Sequence, residues 1–328
     1  MNLIVTHAGF RTTIQDLGRI GFRQFGVSSG GALDLHAFRI ANLLTGNDES
    51  AAGLEFTQGN IRLRFEDERV VSWCGGDYEV CVASHSIPRG HSALVLAEDE
   101  LSISGPRQGW RGWLAVSGGV AVPPVLGSRS TDLRANFGGL DGRALRDGDE
   151  LLLGEQSDFA RSLVDLLNER RVSSWSSQAE WSSTAKRKPV LRIIRGVDWN
   201  RFDASAHHAL TSGTFAISQD SDRMGVRLNG PELHRNDDVD LVSEAVAPGT
   251  IQVPPGGRPI LLLGDCQTIG GYPKIAHVIT VDLSIAAQLR PGDTVRFQEI
   301  SLPEGHRLFF EREQELERFR IGLSLQNK

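Results

Sequence analysis

A short polar motif occurs twice in this chain of 328 residues. The segments 15–23 (QDLGRIGFR) and 219–227 (QDSDRMGVR) share the pattern Gln-Asp-x-x-Arg-x-Gly-x-Arg. A second pair links 145–149 (LRDGD) with 289–293 (LRPGD). Such self-similarity indicates two related domains. Two domains that carry matching polar motifs can enclose a small-molecule cleft between them.

The chain is dominated by short apolar or alternating runs separated by glycine and proline. The run 61–65 alternates strictly, as a half-buried strand does, and 239–242 is predicted as a further strand. This rhythm favours barrels or sandwiches over alternating strands and helices. Few helices are expected, and the apolar spacing places them near 33–44, 159–167 and 311–319.

The length is consistent with two domains of roughly 150 residues each. We predict an N-terminal β-barrel domain over 1–170 and a C-terminal β-barrel domain over 190–300, related by internal duplication. The serine-rich segment 171–189 is interpreted as a linker, and 301–328 as a C-terminal tail or helix.

Composition excludes several function classes. The net charge of −6, a single compact basic run at 186–188 and only two tyrosines argue against nucleic-acid binding. No apolar run approaches the roughly twenty residues of a membrane span, and the N-terminus lacks a signal peptide, so a cytoplasmic protein is expected. The histidines lack metal-ligand spacing, so no metal site is predicted. The three cysteines fit free thiols, with Cys266 interpreted as buried and inert rather than as a nucleophile.

The motif copies are the first candidates for chemistry. Each places an acid and a cation three residues apart, which can position an anionic substrate by charge-assisted hydrogen bonds. Alternatively, each pair supports a turn whose glycines adopt positive φ. The candidates are Gln15, Asp16, Arg19, Gln219, Asp222, Arg223 and Arg227.

The loop 264–275 (GDCQTIGGYPKI) follows the apolar run 260–263 and holds the densest group of polar residues. Adjacent glycines let backbone N–H groups approach an anion closely. The spacing of a P-loop is absent, and a simple tight turn is the alternative. The candidates here are Asp265, Gln267, Thr268, Gly270, Gly271, Tyr272 and Lys274.

Motifs along nearly the whole chain resemble the allophanate hydrolase subunit 2 family, also called the biotin-dependent carboxyltransferase A/B-subdomain family. They run from Thr13-x-Gln15-Asp16-x-Gly18-Arg19 through Ser221-Asp222-Arg223-Met224-Gly225 and Gly249-x-Ile251-Gln252-Val253-Pro254 to Gln288-x-x-Pro291-Gly292-Asp293. The chain departs from the family pattern at Val197 and Ser28, where proline is usual.

The resemblance implies two cyclophilin-like β-barrel domains and a partner chain of the subunit 1 type. In the 5-oxoprolinase branch, three kinds of chain, the A, B and C components, together open the lactam of 5-oxoproline to glutamate with ATP. A second branch transfers a carboxyl group from carboxybiotin to urea or an amide. A third antagonises a protein inhibitor of a sporulation kinase without chemistry of its own. Met1 and Met224 are the only methionines, so the chain lacks a Met-Lys-Met biotin attachment site, which favours the 5-oxoprolinase branch and its C component.

The expected activity is therefore that of one component of an ATP-dependent 5-oxoprolinase, active in complex with a subunit 1-type protein (the B component) and with the A component. We expect ATP to be used with those partners, and biotin only under the carboxylase alternative. Lys274, Asp265, Asp222 and Asp16 are the predicted catalytic residues. The predicted substrate- or anion-binding residues are Gln15, Arg19, Gln219, Arg223, Arg227, Gln252, Gln267, Thr268, Gly270, Gly271 and Tyr272.

Overall fold

A computed structural model of the chain describes residues 2–83, 85–237 and 239–325. Its contacts divide the chain into two compact units. The first unit consists of Met1–Arg19, Gly30–Ala185 and Glu315–Lys328, and the second of Ile20–Ser29 and Lys186–Gln314. The segment Ile20–Ser29 therefore belongs to the second unit although the first unit surrounds it in sequence.

The described residues of the first unit form two six-stranded sheets, three short helices and the end of the long C-terminal helix. Its strands are β1 (Asn2–His7), β2 (Arg11–Gln15), β3 (Gly53–Thr57), β4 (Ile61–Phe65), β5 (Arg69–Gly75), β6 (Glu79–Val82), β7 (His85–Ser86), β8 (His91–Val95), β9 (Glu100–Ser104), β10 (Arg111–Val116), β11 (Glu150–Leu152) and β12 (Val172–Ser176). Its helices are α1 (Leu35–Leu44), α2 (Asp158–Leu167) and α3 (Ala179–Ser182). The strand orders are β11-β1-β4-β9-β6-β7 and β12-β8-β5-β10-β3-β2.

One apolar core joins the two sheets of this unit. It includes Leu63 and Phe65 from the first sheet and Trp73 and Leu114 from the second, all at most 3% exposed. In β4 the apolar positions are buried while Arg62 is exposed, which confirms the alternation in the sequence. Burial of alternate apolar side chains thus fixes the register of these strands.

Helix α1 begins where Asp34 caps it. The Asp34 carboxylate accepts a hydrogen bond from the Ala37 amide at 2.9 Å, which satisfies one of the unpaired donors of the first turn. The helix ends before Gly46, whose φ is 74°. A Cβ at Gly46 would lie 2.8 Å from the Ala160 backbone nitrogen, so the close approach of α2 requires glycine here.

The segment 171–189, predicted as a linker, differs from that expectation. Strand β12 pairs with β8 in the second sheet, with Val172 opposite Ala93. The Ser173 hydroxyl accepts from the Ser92 amide at 3.1 Å and donates to the Trp175 carbonyl at 2.6 Å. These serines therefore bond to backbone groups and fix a strand, a use of serine that composition does not reveal.

The second unit is a closed barrel of seven strands in the order β13-β20-β17-β18-β15-β14-β21. Its strands are β13 (Val190–Arg195), β14 (Phe215–Ile217), β15 (Gly225–Asn229), β16 (Glu244–Ala245), β17 (Thr250–Gln252), β18 (Ile260–Leu262), β19 (Ile269–Gly270), β20 (Lys274–Val278) and β21 (Thr294–Glu299). Its helices are α4 (Ala204–Ser212), α5 (Leu283–Ala286) and the start of α6 (Leu302–Leu325). Strands β16 and β19 form a separate two-stranded ribbon.

The predicted mainly β class with few helices is confirmed, and the second unit is a closed seven-stranded barrel. The first unit, also predicted as a barrel, forms two six-stranded sheets. The predicted strand 239–242 is wrong, because this stretch forms no strand and exposes Val239 and Val242 by 57% and 82%. Helix α6 begins well before the predicted helix 311–319. Among the described residues, no helix combines the length and the apolar character that crossing a membrane requires.

Candidate functional site

The second motif copy forms the turn that connects β14 to β15. The Asp222 carboxylate accepts from the amides of Met224 at 2.8 Å and Gly225 at 3.2 Å, so it holds the turn together. The Ser218 amide donates to the Arg227 carbonyl at 2.9 Å and starts the pairing of the two strands. The predicted candidate Asp222 thus has a clear structural role, while its side chain remains exposed.

A cleft of about 190 Å³ lies beside this turn in the second unit. Five of the predicted site residues line it together. Its walls are formed by Asp220, Asp222, Met224, Gly225, Arg227, Gln252, Ile260, Leu262, Gln267 and Tyr272. The volume is below the roughly 300–1,000 Å³ of pockets for drug-sized ligands, so the cleft suits a small metabolite.

Two glutamine amides face each other in the cleft. Gln267 Nε2 donates to Gln252 Oε1 at 3.3 Å, and Gln252 Nε2 donates to the Tyr272 carbonyl at 3.2 Å. Gln252 is 1% exposed, whereas Tyr272 is 46% exposed. A Cβ at Gly270 would lie 2.7 Å from Gln252 Nε2, so the glycine makes room for this amide. The pair offers N–H donors and C=O acceptors in one place, which suits an amide or lactam ligand.

The three predicted cations of this unit have different partners. Arg223 binds Asp265 through two bonds, Nε to Oδ2 at 2.8 Å and Nη2 to Oδ1 at 3.1 Å, and both side chains are nearly buried. Arg227 is exposed and is the cation among the residues that line the cleft. A bound anion therefore meets Arg227 first, while Arg223 is engaged by a buried carboxylate.

Lys274 lies between two carboxylates. Its Nζ is 3.0 Å from Glu244 Oε2 and 3.5 Å from Asp198 Oδ2, and its backbone amide donates to Asp198 at 2.9 Å. Lys274 is 4% exposed, whereas the Glu244 side chain is 63% exposed. Burial, followed by the charge of Lys274, lowers the pKa of nearby His277. An anion would have to displace Glu244 to reach the ammonium.

The remaining candidates of the 264–275 loop do not line the cleft. Thr268 is half-buried and accepts a bond from the Val246 amide through its carbonyl at 3.0 Å. Gly271 lies close to the Leu241 carbonyl, 3.2 Å from where a Cβ would be. Gln219 is exposed in the motif turn. Cys266 is fully buried, and burial raises the pKa of its thiol, which supports the inert interpretation.

In the first motif copy, the polar side chains of Gln15, Asp16 and Arg19 are buried in the first unit. The Asp16 carboxylate accepts from the hydroxyls of Ser128 and Ser130, both at 2.6 Å, from the Arg129 amide at 2.6 Å and from the Gly18 amide at 2.8 Å. Asp16 is 6% exposed. With four donors bound to it, this carboxylate has little remaining capacity to accept a substrate proton.

Gln15 and Arg19 are equally enclosed. Gln15 Nε2 donates to Thr13 Oγ1 at 3.1 Å and to the Thr131 carbonyl at 3.2 Å. The Arg19 guanidinium donates to the Ser130 carbonyl and stacks over Phe137, 4.4 Å from the ring centre. Both side chains are at most 1% exposed.

Sequence reasoning missed the segment 128–139, which supplies most of these partners. A Cβ at Gly138 would come within about 2 Å of both the Ser130 carbonyl and the Arg19 guanidinium, so glycine is required there. The signal available was the run Ser128-Arg129-Ser130-Thr131 followed by Gly138-Gly139. Among residues 2–83, 85–237 and 239–325, no group of three or more His, Cys, Asp or Glu side chains is arranged to hold a metal ion.

Comparison with known proteins places this geometry in a family. The family model described as the carboxyltransferase domain, subdomain A and B, matches residues 25–299. The chain is 40% identical over 302 residues to the 5-oxoprolinase C component of Escherichia coli K12, covering 92% of both chains. It is 35% identical over 298 residues to the 5-oxoprolinase C component of Haemophilus influenzae, covering 91% of both.

A solved structure extends the comparison. The chain is similar to the crystal structure of the K. lactis urea amidolyase, with a TM-score of 0.85 and 26% identity. The match covers 97% of this chain and 20% of that one. The fold of both units is therefore shared with one part of a much larger enzyme.

Proposed function

The chain belongs to the family of carboxyltransferase domains with subdomains A and B, and we propose that within it this protein is the C component of a 5-oxoprolinase. In this proposal it acts with partner chains to open the lactam ring of 5-oxoproline, giving glutamate at the expense of ATP. The observation that carries the proposal is the 40% identity to a 5-oxoprolinase C component over 92% of both chains.

The cleft in the second unit supports a small cyclic amide as the ligand. A lactam presents one N–H donor and one C=O acceptor, which the amides of Gln252 and Gln267 complement. Arg227 would bind the carboxylate of 5-oxoproline through its guanidinium. Tyr272, about half exposed at the edge, would limit the access of water.

The same residues do not form a cradle for a triphosphate. Lys274 is paired with Glu244 and Asp198, and Arg223 with Asp265, so these cations are already neutralised. The acidic Asp220 and Asp222 on the cleft wall would repel a polyphosphate. We therefore assign ATP binding to the partner chains, the A and B components of the enzyme.

The test is glutamate formation from 5-oxoproline by the complex of this chain with its A and B partner components. Omitting this chain should abolish glutamate formation. Arg227→Ala should raise KM for 5-oxoproline by about tenfold or more, as expected for loss of a charge-assisted bond. Arg258→Ala, an exposed arginine outside the cleft, is the matched control and should leave KM unchanged. Equal glutamate formation with and without this chain would contradict the proposal.

One observation favours a second candidate, carboxyl transfer from biotin to urea or an amide. The urea amidolyase of K. lactis matches the chain over 97% of its length. Under this alternative the complex would need a separate biotin carrier. Bicarbonate-dependent carboxylation of urea, with no glutamate from 5-oxoproline, would select it.

A further inference from the structure

Arg23 closes the first motif copy in sequence, yet it lies in the second unit, at the ribbon beside the cleft. Its Nη2 group donates to the Val246 carbonyl at 2.5 Å and to the Gln267 carbonyl at 3.1 Å. The same nitrogen lies 4.0 Å from the sulfur of Cys266. One terminal nitrogen of the guanidinium, which carries two hydrogens, therefore bridges two backbone carbonyls.

The two carbonyls belong to the two sides of the β16–β19 ribbon. Val246 directly follows β16, and Gln267 lies two residues before β19. The Val246 amide also donates to the Thr268 carbonyl at 3.0 Å, so Arg23 extends the pairing of the ribbon by one further link. Loss of the guanidinium would remove the bond to the Gln267 carbonyl and with it this link between the two sides of the ribbon.

Gln267 is the residue through which this link reaches the cleft. Its backbone is bound by Arg23, and its side chain lines the cleft and donates to Gln252 at 3.3 Å. Since Arg23 does not line the cleft, it has no route to a ligand except through the residues that it holds.

We propose that Arg23 is a positioning residue for the cleft: it fixes the backbone of Gln267 so that the Gln252–Gln267 amide pair meets the ligand in one orientation. This inference rests on the proposed function for the identity of the ligand. Lysine is a poor replacement for arginine here, because its single ammonium cannot reach both these carbonyls and Ser29 Oγ, to which Arg23 Nη1 donates at 3.4 Å.

The experiment compares Arg23→Ala, Arg23→Lys and Gln267→Ala in the complex with its partner chains. Arg23→Ala should raise KM for 5-oxoproline by about tenfold to a hundredfold, since a small misplacement of a binding group has effects of that size. Arg23→Lys should give little rescue. The double variant Arg23→Ala/Gln267→Ala should be no worse than Gln267→Ala, because Arg23 acts through that side chain.

Arg312→Ala is the matched control. Arg312 is also a partly buried arginine of this unit that donates to a backbone carbonyl, that of Val281 at 2.6 Å. Val281 does not line the cleft, so the control should leave KM unchanged. Multiplicative losses in the Arg23/Gln267 double variant, or an equal loss in Arg312→Ala, would overturn the inference.

A readout independent of activity separates this inference from the proposed function. Cys266 is 0% exposed and lies under Arg23, so its labelling by a thiol reagent should accelerate at least tenfold in Arg23→Ala and remain slow in Arg312→Ala. Labelling is resolved by mass spectrometry of the Cys266 peptide. If the wild-type complex does not act on 5-oxoproline but Cys266 labelling accelerates in Arg23→Ala, the proposed substrate is rejected and the positioning role is kept. Unchanged labelling and unchanged KM would reject the positioning role.

Discussion

The two copies of the Gln-Asp-x-x-Arg-x-Gly-x-Arg motif share the same polar pattern, but their first two residues have opposite surroundings. In the first copy, Gln15, Asp16 and Arg19 are 0%, 6% and 1% exposed. In the second copy, the side chains of Gln219, Asp220 and Arg227 are exposed, whereas that of Arg223 is buried. The start of the first copy, Gln15 to Arg19, thus has its polar side chains in the interior of the first unit, while the second copy borders an open cleft in the second unit.

The difference comes from the segments that pack on each copy. The serines of 128–130 supply donors to Asp16, whereas Asp220 has an exposed carboxylate on the cleft wall. Buried polar groups must find partners, so the first copy is saturated by its neighbours. A repeated motif therefore preserves a turn without preserving a role.

The largest effect on the free energy of unfolding is expected where a substitution removes one partner of a buried ion pair. Arg223→Ala leaves the Asp265 carboxylate without its bidentate partner and should lower the free energy of unfolding by about 3–5 kcal/mol. Arg227→Ala, four residues later and exposed, should change it by less than about 0.5 kcal/mol. Urea unfolding followed by circular dichroism measures both. Equal losses would show that the two arginines of the second copy are not distinguished by burial.

The next effect contrasts the two aspartates at the second motif position. Asp16→Asn replaces a carboxylate bound by four donors with an amide whose NH2 group faces some of them, which should cost about 2–3 kcal/mol. Asp220→Asn should cost less than about 0.5 kcal/mol, since this side chain is exposed. The same unfolding measurement applies. A neutral Asp16→Asn would mean that the buried copy is not held by its carboxylate.

Much of the fold follows from local sequence signals. The alternation of 61–65 and the apolar runs of the barrel are visible along the chain, because the pattern of a strand is set by neighbouring residues. The strand in the segment 171–189 could not be predicted from local sequence, since its serines form a strand only through a partner some eighty residues away. The strand prediction for 239–242 was wrong for the opposite reason: its local apolar pattern is typical of a strand, but these residues pair with no sheet.

The candidate site was predicted in part. Asp222, Arg227, Gln252, Gln267 and Tyr272 were singled out and lie together around the cleft. The pairing of Lys274 with Glu244 and Asp198 was not foreseen, because partners 30 and 76 residues away leave no local signal. The contribution of Arg23 to the second unit was missed for the same reason.

A smaller effect, on activity, is expected at the cleft that borders the second copy. Gly270→Ala places a Cβ 2.7 Å from Gln252 Nε2, which is too close. The Gln252 amide must therefore move, because it is the end of a side chain and shifts more easily than the backbone. We expect kcat/KM for 5-oxoproline to fall by about tenfold. Gly256→Ala is the control, since no atom lies within 4 Å of its Cβ position. Unchanged kinetics in Gly270→Ala would remove the Gln252 amide from ligand binding.

The smallest effect, on the free energy of unfolding, is expected between the aspartates of the two copies of the second repeated motif, Leu-Arg-x-Gly-Asp. Arg143 binds Asp149 through two bonds, at 2.7 and 2.8 Å, and this lowers the pKa of the Asp149 carboxyl. Its counterpart Asp293 accepts one bond from the Arg290 guanidinium, through Nε at 3.4 Å, and one from the Arg290 backbone amide at 3.3 Å. Because the pKa of Asp149 is lower in the folded chain, its contribution is complete above the ordinary value near 3.9 and is lost as the pH falls through the lowered value. Asp149→Asn should therefore cost about 0.5–1 kcal/mol at pH 7 and less at acid pH, the cost shrinking as the pH falls through the lowered pKa. Asp293→Asn should cost less at pH 7, as measured by urea unfolding at both pH values. An Asp149→Asn cost that persists at low pH would assign the loss to packing rather than to the ion pair.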